Sequence, residues 1–140
     1  MALKASELTS GQTFSAVVVE DLKRTQIVQY AGASGDYNPL HTDEVFATKV
    51  AGYPSVFAHG MLTMGMTGRM VTDLVGDGQL LSFGGRFTSQ VFPGDDLTTT
   101  ATVGEIRTDD DGPVVELTLS TVNQDGAEVF SGYAVARAEP

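Results

Sequence analysis

Cysteine is absent from this 140-residue chain. That excludes disulfides, thiolate nucleophiles and thiolate metal ligands, and makes a reducing compartment, the cytoplasm, the simplest setting. Long apolar runs are missing as well. Nothing is long enough to cross a bilayer as a helix, and the opening stretch MALKASELTSGQTF lacks the uninterrupted apolar core of a secretion signal. Positive charge is scarce: 8 Lys and Arg stand against 18 Asp and Glu, for a formal net charge of −10. The cations are scattered, and only Lys23 and Arg24 adjoin. Binding to a phosphate backbone needs clustered positive charge, so nucleic acid is excluded as a partner. An anionic small molecule stays compatible, because a few local cations or a helix N-terminus can hold one. The acidity itself reads as solubility.

What is present is an ordinary globular composition, 41% apolar and 19% charged, which fits one domain over residues 1–140. Thr13 to Glu20 (TFSAVVVE) reads as a strand after a turn at Gly11. Lys23 to about Ala33 reads as a helix, with Ile27, Tyr30 and Ala31 forming a narrow apolar stripe. A short helix is predicted over Thr42 to Lys49, with Thr42 as N-cap and Asp43 and Glu44 in its first turn. Gly60 to Val75 is the main helix, rich in Met and Leu and almost free of charge, so it is predicted to be buried. Gly65 and Gly68 weaken it unless a sheet or a partner helix packs closely there. The strands predicted after it are Leu80–Phe92, Asp96–Arg107, Pro113–Gln124 and Ala127–Arg137. Turns at Pro93–Asp96, Asp109–Gly112 and Asp125-Gly126 join them. One strand, a central apolar helix and four more strands indicate an α+β fold, with a curved antiparallel sheet wrapped around the helix.

The chemistry-bearing residues concentrate between Tyr30 and Met61. Both histidines, His41 and His59, lie there, and Asp36 precedes His41 by four intervening residues. A carboxylate and an imidazole on one turn can orient a water and exchange its proton. The His59-Gly60 pair opens the main helix, where a free Gly60 N–H can hold a developing oxyanion, and Gly60 has no side chain to obstruct it. Blander roles compete. In SGDYNP, Asp36 can bond its own backbone to form a turn, and His41 can fill space before the next helix. His59 can be a structural neighbour of the oxyanion donor. Asn38 braces the loop through its amide, and Pro39 fixes its path. Two histidines and an aspartate do not complete a soft ligand set without Cys or further His, so no metal is expected. SFGGRF does not match GxGxxG and falls in a strand, which leaves a dinucleotide without support.

These residues resemble the MaoC-like (R)-specific enoyl hydratase and dehydratase family, which has the hot-dog fold. Gly35-Asp36-Tyr37-Asn38-Pro39-Leu40-His41 matches its GD-x-NP-x-H pattern, AHGMLTMG at Ala58–Gly65 its central helix, and RFTSQVFPGDDL at Arg86–Leu97 a later strand–turn–strand segment. Within the family the chain is most similar to the catalytic subunits of mycobacterial-type (3R)-hydroxyacyl-acyl carrier protein dehydratases. The resemblance implies reversible hydration of a trans-2-enoyl thioester to the (3R)-3-hydroxyacyl thioester, without a cofactor. Asp36 and His41 would handle the water, and the Gly60 N–H would polarise the thioester carbonyl. It also implies that Asn38, Tyr53, Val56, Phe57 and His59 border the substrate, with core packing as the competing role for Tyr53, Val56 and Phe57. The implied partners are an acyl thioester of coenzyme A or acyl carrier protein, and a second hot-dog subunit, identical or distinct. Some members carry a serine in the central helix where this chain has Gly68. A hot-dog thioesterase and a non-catalytic partner subunit are the alternative readings.

Overall fold

Threonine, valine and alanine alternate along the later half of the chain, and burial alternates with them. In a computed structural model that describes residues 2–140, Leu97, Thr99, Ala101 and Val103 are buried on one face of their strand while Thr98, Thr100 and Thr102 lie on the other. Five strands form one sheet: β1 (Thr13–Val19), β2 (Leu80–Phe87), β3 (Leu97–Asp109), β4 (Gly112–Val122) and β5 (Glu128–Arg137). Their order is β1-β3-β4-β5-β2, with every neighbouring pair antiparallel. Two helices complete the fold, α1 (Arg24–Ser34) and α2 (Gly60–Val75). α2 lies on one face of the sheet, the hot-dog arrangement expected from the sequence. No helix among the described residues is long and apolar enough to cross a membrane.

The core forms where α2 meets the sheet. Met70, Val71, Leu74 and Val75 pack against Ala101, Val103, Val115, Leu117, Leu119, Ala134 and Ala136. Each fully buried valine or leucine contributes about 1.5–3 kcal/mol. A second cluster gathers Leu22 and Ile27 with Ala58, Val91, Leu97 and Val129 beneath the start of α2. Between them lies a polar knot. The hydroxyls of Thr67, Thr99 and Thr121, all fully buried, bond in a ring with edges of 2.7, 2.7 and 3.5 Å. Each hydroxyl thereby escapes the penalty of an unpaired buried polar group.

Glycines let three aromatic rings sit between α2 and the β2–β5 edge. A β-carbon on Gly60 would stand 2.9 Å from the Phe87 ring, one on Gly68 3.0 Å from Phe83, and one on Gly85 2.5 Å from Phe130. Phe130 in turn neighbours Phe83 and Phe87, with ring centroids 6.1 and 5.8 Å apart.

Three expectations need correction. Strand β2 stops at Phe87 rather than Phe92, because beyond Thr88, whose N–H still donates to the Val129 carbonyl at 3.0 Å, the chain leaves β5 and the Val91 carbonyl accepts the Ala58 N–H at 2.7 Å. The short helix after His41 is present but begins at Glu44, two residues later than expected, and Thr42 is not its N-cap. Asp43 Oδ1 accepts the Phe46 N–H at 3.1 Å, and Phe46–Val50 winds as a single π-helical turn. Nor is α2 buried all round. The sheet covers only one face, leaving Met61 half exposed and nothing within 4 Å of a β-carbon on Gly65. Gly68, by contrast, has the close sheet packing that its position called for.

Candidate active site

Helix α1 ends at Gly35, whose left-handed conformation (φ 75°) suits a residue without Cβ and closes the helix with a 3.0 Å bond from its N–H to the Ala31 carbonyl. The next residue is Asp36, and a chain of short local bonds shapes its loop. The Asp36 N–H donates to Ser34 Oγ at 3.2 Å, and Asp36 Oδ1 accepts the Asn38 N–H at 3.2 Å. Asn38 Oδ1 accepts the Leu40 N–H at 3.0 Å, and the Asn38 carbonyl accepts the His41 N–H at 3.0 Å. Asp36 thus spends one carboxylate oxygen on its turn and keeps the other. That oxygen, Oδ2, lies 3.9 Å from His41 Nε2.

The far side of His41 sets the tautomer of its neutral ring. Nδ1 lies 2.6 Å from the Phe57 carbonyl oxygen, which can only accept, so Nδ1 carries the hydrogen and Nε2 presents its lone pair. The His41 side chain is 10% exposed and that of Asp36 52%. Two acceptor atoms therefore face each other across a gap too long for a direct hydrogen bond and suited to one bridging water.

His59 lies behind this pair. Its ring stacks on His41 with centroids 3.7 Å apart and planes 24° from parallel, and Tyr30 meets its other side edge-on at 4.8 Å. Its Nε2 is 3.0 Å from the Asp36 carbonyl. As the residue before α2, His59 makes no side-chain cap, so the first-turn N–H groups of Gly60 and Met61 keep no intrahelical acceptor and remain directed outward. The helix dipole adds partial positive charge there.

Tyr53, Val56 and Phe57 follow the π-helical turn. Phe57 stands edge-on to His41 at 5.4 Å and against Tyr53 at 4.7 Å, while Val56 is buried. An ion pair secures this segment: Arg24 Nη1 donates to Glu44 Oε2 at 2.6 Å, and the same oxygen accepts the Val56 N–H at 3.4 Å. The Arg24 bond holds the Glu44 carboxyl below the usual carboxylate range. A cavity of about 330 Å³ opens beside Gly60, walled by Phe57, Thr63, Phe87, Ser89 and Gln90. Sequence reasoning did not assign Thr63, Phe87 or Gln90, which reach the site by packing; Tyr30 carried only a helical-stripe signal. A larger groove of about 430 Å³ between β1 and α2 contains none of the predicted site residues.

Asp36, His41 and His59 offer ligand atoms within 4.8 Å of one another. The two rings are nearly parallel, so their in-plane lone pairs do not converge on one point, and a ring nitrogen of each is engaged by a carbonyl. The arrangement suits water and proton handling better than a metal.

The model of the "MaoC like domain" family matches residues 6–124. The (R)-specific enoyl-CoA hydratase of Aeromonas caviae is 31% identical over 137 residues, covering 96% of this chain and 98% of that protein. The 3-hydroxyacyl-thioester dehydratase Y of Mycobacterium tuberculosis is 46% identical over 69 residues, 47% of this chain but only 24% of that longer protein. Among solved structures, unliganded R-hydratase PhaJ1 from Pseudomonas aeruginosa superposes with a TM-score of 0.84 at 28% identity, covering 99% of this chain and 86% of that one.

Proposed function

This chain belongs to the MaoC-like domain family, and on that premise we propose that it interconverts trans-2-enoyl and (3R)-3-hydroxyacyl thioesters by reversible addition of water. The observation that carries the reading is the pair of facing acceptors, Asp36 Oδ2 and His41 Nε2, 3.9 Å apart beside the open N-terminus of α2. The names of the relatives, an (R)-specific enoyl-CoA hydratase and a 3-hydroxyacyl-thioester dehydratase, support the substrate class and stereochemistry.

In this reading a water between the two acceptors donates one hydrogen to each and turns an oxygen lone pair toward the β-carbon. As the C–O bond forms, one O–H bond of the water breaks and its proton passes to the Asp36–His41 pair. The π electrons move toward the thioester oxygen, where the Gly60 N–H stabilises the developing charge. A proton returned to the α-carbon completes the hydroxyacyl product. Dehydration runs through the same groups in reverse. Asn38 keeps the loop in shape, and Tyr53, Val56 and Phe57 border the acyl group. The acyl carrier is coenzyme A or an acyl carrier protein, and the reaction requires no cofactor.

A second hot-dog subunit, another copy or a distinct chain, completes the assembly in this proposal. Strand β2 pairs only with β5, and Leu81, Phe87 and Met61 leave apolar surface beside its open edge. Light scattering should give a mass of at least twice 14.7 kDa with the partner present.

The test is loss of the enoyl-thioester absorbance with crotonyl-CoA. Wild type should bleach the band, and Asp36→Asn should be slower by about 10²-fold or more. Release of free thiol would identify hydrolysis instead. An unchanged band with short and long enoyl-CoA and with their acyl carrier protein counterparts would overturn the reading.

A further inference from the structure

Of the two imidazoles in the stack, only one has a use in the reaction as described. His59 is 2% exposed. Its Nε2 lies 3.0 Å from the Asp36 carbonyl oxygen, an atom that only accepts, so Nε2 carries the hydrogen. Its Nδ1 is buried with no hydrogen-bond partner. A lone pair left this way is costly, and a leucine or phenylalanine would fill the same space without the cost. The ring therefore has something to do that an apolar side chain cannot.

A second proton on His59 would have to sit on Nδ1, where no acceptor receives it. It would also place a buried charge 3.7 Å from the ring of His41. His41 differs in both respects. Its free Nε2 faces a carboxylate oxygen, and its Nδ1–H already has an acceptor in Phe57. Of the two rings, only His41 turns its free nitrogen toward a carboxylate oxygen, while His59 turns its own into the interior. Tyr30, edge-on at 4.8 Å, closes the remaining side of His59 with another uncharged ring.

We propose that His59 is a positioning residue, a buried imidazole that fixes both halves of the proton-transfer pair at once. Its Nε2–H anchors the backbone of Asp36. Its ring face backs His41 and sets how far Nε2 stands from the carboxylate. The water-sized gap between Asp36 and His41 is then a product of His59 rather than of the loop alone. A supporting residue of this kind holds the reacting groups in register. This rests on the hydratase reading above, and it extends that reading to a residue whose ring nitrogens are directed to the protein interior.

The test has two arms. Long-range ¹H–¹⁵N spectra of ¹⁵N-labelled protein resolve the two histidines, assigned with a His41→Asn variant. The neutral His59 ring should carry its hydrogen on Nε2, the nitrogen that faces the Asp36 carbonyl. An Nδ1–H tautomer would overturn the proposal. In the kinetic arm, His59→Phe keeps a ring against His41 but loses the bond to Asp36, while His59→Gln keeps a donor at similar reach. His59→Phe should lower kcat for crotonyl-CoA by about 10- to 100-fold with KM changed by less than about threefold, and His59→Gln should recover part of kcat. A raised KM with kcat preserved would make His59 a substrate contact and overturn the proposal, as would unchanged kinetics in both variants. If wild type turns over no enoyl thioester, the hydratase reading falls and the spectra alone decide the state of His59.

Discussion

The ring of Phe87 lies so close to Gly60 that a β-carbon on Gly60 would stand 2.9 Å from Cδ2 and Cε2. The glycine that begins α2 is thus required by packing as well as suited to an approaching oxygen. Gly60→Ala should cost about 1–3 kcal/mol, the usual range for overpacking, and reduce hydration with it. Urea denaturation of Gly60→Ala and of Gly60→Ala/Phe87→Leu should show the cost partly relieved in the double variant. Equal midpoints would mean that the ring moves aside freely.

The threonine ring makes an asymmetric prediction. Thr67→Val keeps the shape but takes one of two partners from each of Thr99 and Thr121, which keep only their bond to each other, and should lower stability by about 1 kcal/mol. Replacing Thr67, Thr99 and Thr121 by valine together removes every hydroxyl and should be the milder change. Thermal denaturation of both variants checks the order.

Acid should weaken the fold through two exposed ion pairs. Arg137, followed by the Asp111 backbone N–H, holds the Asp109 carboxyl below its ordinary value of 3.8, and Arg24 holds Glu44 below 4.5. A carboxylate depressed in the folded state contributes stability that is complete above its unfolded pKa and is lost as pH falls through the folded one. The loss should therefore begin near those ordinary values and deepen below them. Asp109→Asn and Glu44→Gln should each flatten the fall of the urea midpoint with decreasing pH. Arg137 is correspondingly raised and stays charged across that whole range.

On the proposed function, Phe87 limits the acyl group, because its ring is a wall of the cavity that opens beside Gly60. Phe87→Leu should raise the ratio of kcat/KM for a longer over a shorter enoyl-CoA by about tenfold, the scale of discrimination a few contacts with methylenes provide. A proportional change for both substrates would argue against it.

How much was legible in the sequence depended on range. Alternation in VVELTLSTV and EVFSGYAVARA located β4 and β5, and the charge-poor run after His59 located α2 with its ends at Gly60 and Val75. Asp36 and His41, which the GD-x-NP-x-H spacing singles out, lie 3.9 Å apart because their loop is built from bonds between residues a few positions apart. Partners distant in sequence were not legible. β2 ends where Val91 turns to pair with Ala58, and no local pattern encodes that exchange. The same holds for the stacking of His59 on His41, the approach of Phe87 to Gly60 and the meeting of Thr67 with strands β3 and β4.

Because each of the three threonine hydroxyls can both donate and accept, their hydrogens can circulate in either rotational sense with every bond kept. Reversal needs no movement of a carbon or an oxygen. The anchor beneath α2 is consequently fixed in position yet twofold degenerate in its hydrogens. Head-to-tail dipoles around a closed ring largely cancel in either sense, so the knot holds the helix without adding a field of its own to the charge that forms at the helix start.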